Sequence, residues 1–174
     1  MGDEVWYATI VGVIVLSGLS IFYILYLAKM RRTKTNAAWK QAATELGLDF
    51  TPVTRIFGKY RMSGVIGKQL SCSVWAYTEP NGQGGYTTFM NYDVRFSRPL
   101  NKEKELLTPN IQSKLLEVNN VLKKVVVSDD SINSTRVSGF IRKSEILIQN
   151  VKLLIQLAEL IIPNEEVDSI FEEI

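Results

Sequence analysis

The stretch YRMSGVIGKQLSCSVWAY, residues 60–77, decides the fold of the larger part of this chain. Alternate positions are apolar from Tyr60 to Ile66 and again from Leu70 to Ala76, a period of two that is typical of strands with one buried face. Between the two runs, Gly67-Lys68 favours a tight turn. We therefore predict two antiparallel strands joined as a hairpin.

A third strand is predicted after the loop EPNGQGG, residues 79–85. From Tyr86 to Phe96 the alternation is the clearest in the chain, so the three strands form an antiparallel meander. The loop lacks the Lys-Ser/Thr pair of a phosphate-binding loop and precedes a strand rather than a helix. We interpret it as a hairpin loop.

Weaker patterns follow the meander. Thr108-Pro109 can start a helix, which has a partial apolar face made of Ile111, Leu115, Leu116, Val118 and Leu122. VLKKVVVS, residues 121–128, predicts a strand, Asp129 to Ser131 a turn, and INSTRVSG, residues 132–139, a weaker return strand.

Helices are predicted before and after the strands along the sequence. Ala37 to Leu46 is predicted to be an amphipathic helix, with Asn36 as its N-cap and Gly47 just past its C-terminal end. Trp39 on this helix either packs on its own domain, which we favour, or enters the lipid headgroups. Ser144 to Ile162 is predicted to be a helix with only a narrow polar stripe. Its apolar surface is larger than one face of the sheet can cover, so part of it is expected to contact another chain. Its buried seam is predicted to be Leu147, Val151, Leu154, Ala158 and Ile161.

The segment from Val5 to Ala28 is 24 residues long and carries no charged side chain. At 1.5 Å per residue a helix of this length spans about 36 Å, more than the hydrocarbon core of a bilayer. The acidic start and the absence of a small-residue cleavage site favour an uncleaved transmembrane anchor over a signal peptide.

The flanking charges predict the orientation of the anchor. Lys29, Arg31, Arg32 and Lys34 follow it, whereas Asp3 and Glu4 precede it. By the positive-inside rule the short N-terminus lies outside and the C-terminal domain lies on the cytoplasmic side. The sequon Asn133-Ser134-Thr135 argues for the opposite orientation, but such triplets are frequent by chance.

The predicted fold class is α+β: one N-terminal transmembrane helix and a small domain in which helices cover an antiparallel sheet of four to five strands. The predicted parts are an anchor with its basic flank at 1–32, a linker at 33–36, a soluble domain at 37–163 and an acidic amphipathic tail at 164–174. In the tail, five acidic residues accompany one apolar stripe. We predict that this stripe, Val167, Ile170, Phe171 and Ile174, binds a partner.

Composition limits the chemistry. The chain has no histidine and one cysteine, Cys72, which excludes an internal disulfide and a Cys/His zinc site. Cys72 lies in mid-strand and is interpreted as a buried structural thiol. DDSINS, residues 129–134, lacks the glycine and the glutamate of a calcium loop. No catalytic, cofactor-binding or metal-binding residue is therefore predicted, and no cofactor.

Nucleic-acid binding has no motif to support it, and the face of Ser71, Ser73, Trp75 and Tyr77 reads as neutral. That face is an exposed aromatic patch unless a helix covers it.

The first hypothesis is a non-catalytic accessory or assembly subunit of a membrane complex. Its partners are the lipid bilayer and other subunits, or a second copy of the chain. The alternative is a membrane-tethered module that binds lipid headgroups or a small ligand, and an enzyme has the least support.

Overall fold

The computed structural model describes residues 2–55, 58–100, 108–137 and 141–162, apart from the side chains at 2–5 and 8. The chain divides into two compact units, Met1–Lys34 and Thr35–Ile174. Helix α1 spans Gly2–Leu46. Among the described residues it is the one helix long and apolar enough to cross a membrane, and none of its most apolar window is buried within the protein.

The helix start predicted at Ala37 is wrong, because α1 continues through residues 33–36, the range in which the two compact units meet along the chain. Asn36 does not cap a helix. Its amide instead bonds both backbone groups of Val53: Nδ2 donates to the Val53 carbonyl and Oδ1 accepts from the Val53 amide, each at 3.0 Å. A polar side chain that looked like a helix start is used to fix the loop that runs past the helix.

Six antiparallel strands form one sheet in the part of the chain that is described, more than the four to five predicted. They are β1 Asp49–Phe50, β2 Tyr60–Ile66, β3 Leu70–Pro80, β4 Tyr86–Phe96, β5 Val125–Val127 and β6 Ser131–Val137. The order across the sheet is β1-β2-β3-β4-β6-β5. The predicted meander is confirmed as β2, β3 and β4, which pair in sequence as neighbours.

One face of the sheet carries the core, as the period of two predicted. Met62, Val74, Tyr92 and Ile132, one from each of four strands, are buried there. Helix α3, Ser144–Ile161, packs against this face, where Asn150 Nδ2 donates to the Tyr92 hydroxyl at 2.9 Å. All five residues of the seam predicted for α3 are buried. We call this side of the sheet the inner face.

The C-terminal end of α1 also packs on the inner face. Trp39 is 0% exposed and lies against Phe50 and Tyr60, with ring centroids 6.1 and 5.5 Å away. The prediction that this tryptophan packs on its own domain is confirmed. Gly47 has a φ of +67°, and the Leu48 amide donates back to the Ala43 carbonyl, so the helix ends in a Schellman motif.

Helix α2, Pro109–Leu122, starts at the predicted proline but continues into the segment predicted to be a strand. Only Val125–Val127 of that segment forms β5. Lys123 and Lys124 have φ values of 59° and 48°, and Asn119 Oδ1 accepts from the Val125 amide, so the chain reverses between helix and strand. The predicted apolar face of α2 is partly wrong, since Leu116 is 65% exposed.

Candidate binding site on the outer face of the sheet

The strand register arranges the opposite side of the sheet, here called the outer face, in rows that cross four strands. One row is Arg61, Trp75, Asn91 and Thr135; the next is Ser63, Ser73, Asp93 and Asn133; the third is Val65, Ser71, Arg95 and Ser131. The three described helices contact the sheet on the inner face, through Trp39, Asn150 and Leu122. In the described part of the chain, no helix packs against the outer face.

A further row, next to Trp75, is aromatic and apolar. Tyr77, Phe89 and Val137 lie side by side on β3, β4 and β6. The rings of Tyr77 and Phe89 stack with centroids 5.4 Å apart, and Val137 is largely exposed. We call these three residues the aromatic row. Such rings are enriched in the contact surfaces of proteins.

Beside this row lies a shallow cleft of about 480 Å³, which we call the basic cleft. Seven residues line it: Lys59, Arg61, Ser71, Ser73, Trp75, Asp93 and Arg95. The cleft falls within the range of volumes usual for small-molecule sites. Strands β2, β3 and β4 supply every lining residue except Lys59, which immediately precedes β2.

Charges in the basic cleft do not balance. Asp93 is 5% exposed, and its Oδ2 accepts a hydrogen bond from Arg95 Nε at 2.9 Å. The bond and the charge of Asp93 raise the pKa of Arg95 above its usual value. Lys59 and Arg61 are exposed and have no ion-pair partner among the described residues. Asp93 pairs with Arg95, so the positive charges of Lys59 and Arg61 are not neutralised within the cleft. This excess of positive charge favours the binding of an anion.

Hydrogen-bond donors also outnumber acceptors in this region. The hydroxyl groups of Ser71 and Ser73 lie in the cleft. Asn91, the cross-strand neighbour of Trp75, is 8% exposed and its Nδ2 has no partner in the described part of the chain. A buried donor without a partner costs about 1–3 kcal/mol. The arrangement therefore suits a ligand that brings oxygen acceptors.

Nucleophilic chemistry has no support at Cys72, which lies on the inner face. Burial, together with the negative charge of Asp93, raises the pKa of this thiol to about 12. The thiolate is the reactive form of cysteine, so the group is inert near neutral pH. Within the described ranges no three His, Cys, Asp or Glu residues are grouped so as to hold a metal ion.

None of the four cations predicted from sequence as a membrane flank is among the residues that line the basic cleft. Lys29, Arg31, Arg32 and Lys34 are on α1, in the unit Met1–Lys34. The predicted partner-binding stripe, Val167, Ile170, Phe171 and Ile174, lies outside the described residues. The basic cleft itself was not predicted from the sequence.

A signal for the cleft was present in the sequence. The interpretation of the Ser71–Tyr77 face as neutral considered β3 alone. Pairing of Ile66 with Leu70 across the hairpin sets Arg61 opposite Trp75, and pairing of β3 with β4 sets Arg95 opposite Ser71. The neutral interpretation is corrected, because the neighbouring strands bring positive charge to that face.

Comparisons of this chain with protein-family models, with curated proteins and with solved structures return no match.

Proposed function

We propose that this chain is a single-pass membrane protein without catalytic activity, an accessory or assembly subunit that acts through protein–protein contacts in a membrane complex. The observation that carries the proposal is the aromatic row, Tyr77, Phe89 and Val137, on a sheet face that no described helix packs against. Stacked rings beside an exposed valine form a mainly apolar contact surface, in which the Tyr77 hydroxyl needs a hydrogen-bond partner from the other chain.

The membrane role is supported by the exposed side chains of α1. Trp6, Leu16 and Phe22 are all more than half exposed, and the apolar window that contains the last two has a mean hydropathy of 2.4. Burying such side chains in lipid stabilises by about 25 cal/mol per Å². The cations from Lys29 to Lys34 favour placing the domain on the cytoplasmic side, with the short N-terminus outside.

The experiment compares the particle mass of the chain in native membranes with that of the purified chain. Mild detergent extracts should contain the chain in a particle heavier than one chain plus its micelle. Replacing Tyr77 and Val137 by serine should shift the chain toward the lighter particle, while the same replacement at Val126, an exposed residue of β5, should not. An unmodified chain that always migrates at the mass of the purified protein contradicts the proposal.

A second role, a membrane-tethered module that binds a lipid headgroup or a small ligand, is favoured by the basic cleft. Its excess of two cations and its free serine hydroxyl groups are separate from the aromatic row. The two roles therefore depend on different residues of the outer face, and they can be tested by different substitutions.

A further inference from the structure

We infer that the basic cleft binds a phosphate monoester, the charged group of a phosphorylated small molecule or of a phospholipid headgroup. This inference rests on the second of the two proposed roles, and the accessory role does not depend on it. A phosphate monoester fits the donors that line the cleft, the charge that they carry and the volume of the cleft.

The donors come from neighbouring positions on β2, β3 and β4, with Lys59 just before β2. Arg61 and Trp75 face each other across β2 and β3, and Ser73 and Asp93 form the adjacent pair across β3 and β4. Arg95 uses its Nε for Asp93, which leaves its terminal nitrogens to donate to a ligand. Guanidinium groups bind phosphate oxygens with two parallel hydrogen bonds, and an ammonium group such as that of Lys59 adds a point charge.

Charge favours phosphate over a single carboxylate. Three cations and one carboxylate leave a net charge of +2 in the cleft, and Arg95 already satisfies that carboxylate. A phosphate monoester carries about −1.5 to −2 at neutral pH, so it matches this excess, whereas one carboxylate matches only half of it. Asp93 also repels an anion that approaches it closely, which places the phosphate nearer to Arg61 and Lys59.

The cleft is larger than a phosphate group alone requires. A volume of about 480 Å³ leaves room for an organic part, and the half-buried ring of Trp75 forms one wall of that space. An aromatic wall next to cationic donors suits a ligand with one charged end and one less polar part.

The test uses the full chain in phosphatidylcholine nanodiscs. Titration calorimetry with inositol 1,4,5-trisphosphate, and with inorganic phosphate as the minimal probe, should detect saturable binding to the unmodified chain. In the double variant Lys59→Gln/Arg61→Gln, affinity for inositol trisphosphate should fall about tenfold or more, because both positive charges that are free to bind phosphate oxygens are removed. Both side chains are exposed, so the variant should keep its melting temperature.

The matched control is Lys123→Gln/Lys124→Gln, which removes the same charge between α2 and β5, at the other edge of the sheet. It should bind both probes as the unmodified chain does. Equal affinities for the two double variants, or no binding of either probe to the unmodified chain, would overturn the inference. The particle mass in native extracts reports the accessory role separately, and the cleft variant should leave it unchanged.

A second arm identifies the source of the phosphate. Nanodiscs that also contain phosphatidylinositol 4,5-bisphosphate present the headgroup to the same chain. If a headgroup in the disc occupies the cleft, the apparent affinity for soluble inositol trisphosphate should fall, and the cleft variant should abolish that competition. If the affinity is unchanged, the ligand is a soluble phosphate monoester.

Discussion

A single leucine on α3 provides the sharpest test of the core. Leu154 is 0% exposed, and the inner face offers it apolar neighbours. We expect Leu154→Asp to lower the free energy of unfolding by several kcal/mol, because an unpaired charge enters an apolar site. Leu160→Asp is the matched control, since Leu160 is 39% exposed on the same helix and should cost far less. Thermal denaturation in detergent measures both, and equal melting temperatures would contradict the packing of α3.

Two buried groups make the domain sensitive to alkali. Burial raises the pKa of Cys72 from 9.0 to about 12 and that of Tyr92 from 10.0 to about 12. Between these values the unfolded chain loses protons that the folded chain retains, so stability is complete below about pH 9 and falls as the pH rises toward 12. The slope is at most about 1.4 kcal/mol per pH unit for each group.

Urea denaturation at a series of pH values measures this effect. We expect Cys72→Ala to delay the loss of stability by about one pH unit, since Tyr92 then titrates alone of the pair. A denaturation midpoint that stays constant from pH 9 to 11 in the unmodified chain would show that these groups are solvated in the folded state.

At the scale of elements, the meander and most helix ends were predictable, but the start of α1 and the end of α2 were not. Strands β2 and β4 begin and end at the residues where their alternation does, because burial of one face imposes that period. Asn36 misled the prediction of α1, since a side-chain amide that bonds Val53 across the fold looks identical in sequence to an N-cap. Only the tertiary partner distinguishes the two.

The strand predicted at 121–128 shows the same limit. Its β-branched residues favour a strand, yet Val121 and Leu122 end helix α2, because Leu122 is buried in the core. Two lysines with positive φ then turn the chain into β5. At residues 121 and 122, burial in the core therefore outweighed the local preference for a strand. The basic cleft could not be predicted for a different reason: it is formed by residues paired across strands, and the pattern of a single strand does not show that pairing.

The tail, residues 164–174, remains a predicted element. Its apolar stripe and five acidic residues favour docking on a basic surface, and a partner protein is the predicted surface. Deleting it should leave the melting temperature of the domain within about 1 °C while particles in native extracts become lighter. A large fall in melting temperature with the particle mass retained would mean that the tail belongs to the domain itself.

At the scale of the whole molecule, orientation is the first question. If the cations from Lys29 to Lys34 decide it, protease added outside intact cells should leave the domain uncut and permeabilised cells should not protect it. Replacing these four by glutamine should weaken the preference. A glycan on Asn133 would contradict the orientation.

The order of strands in the sheet carries a kinetic consequence. Three-residue and five-residue turns join β2, β3 and β4, so their pairing closes small loops, whereas β6 reaches β4 only after the chain has passed through α2 and β5. Short loops close at a lower entropic cost, so the meander should form early and act as a template for the rest. Pulse-labelled hydrogen exchange during refolding should protect amides of β3 before those of β6. A chain that emerges from a ribosome already tethered at its N-terminus would then have its first three long strands assembled before α3 is available to cover them.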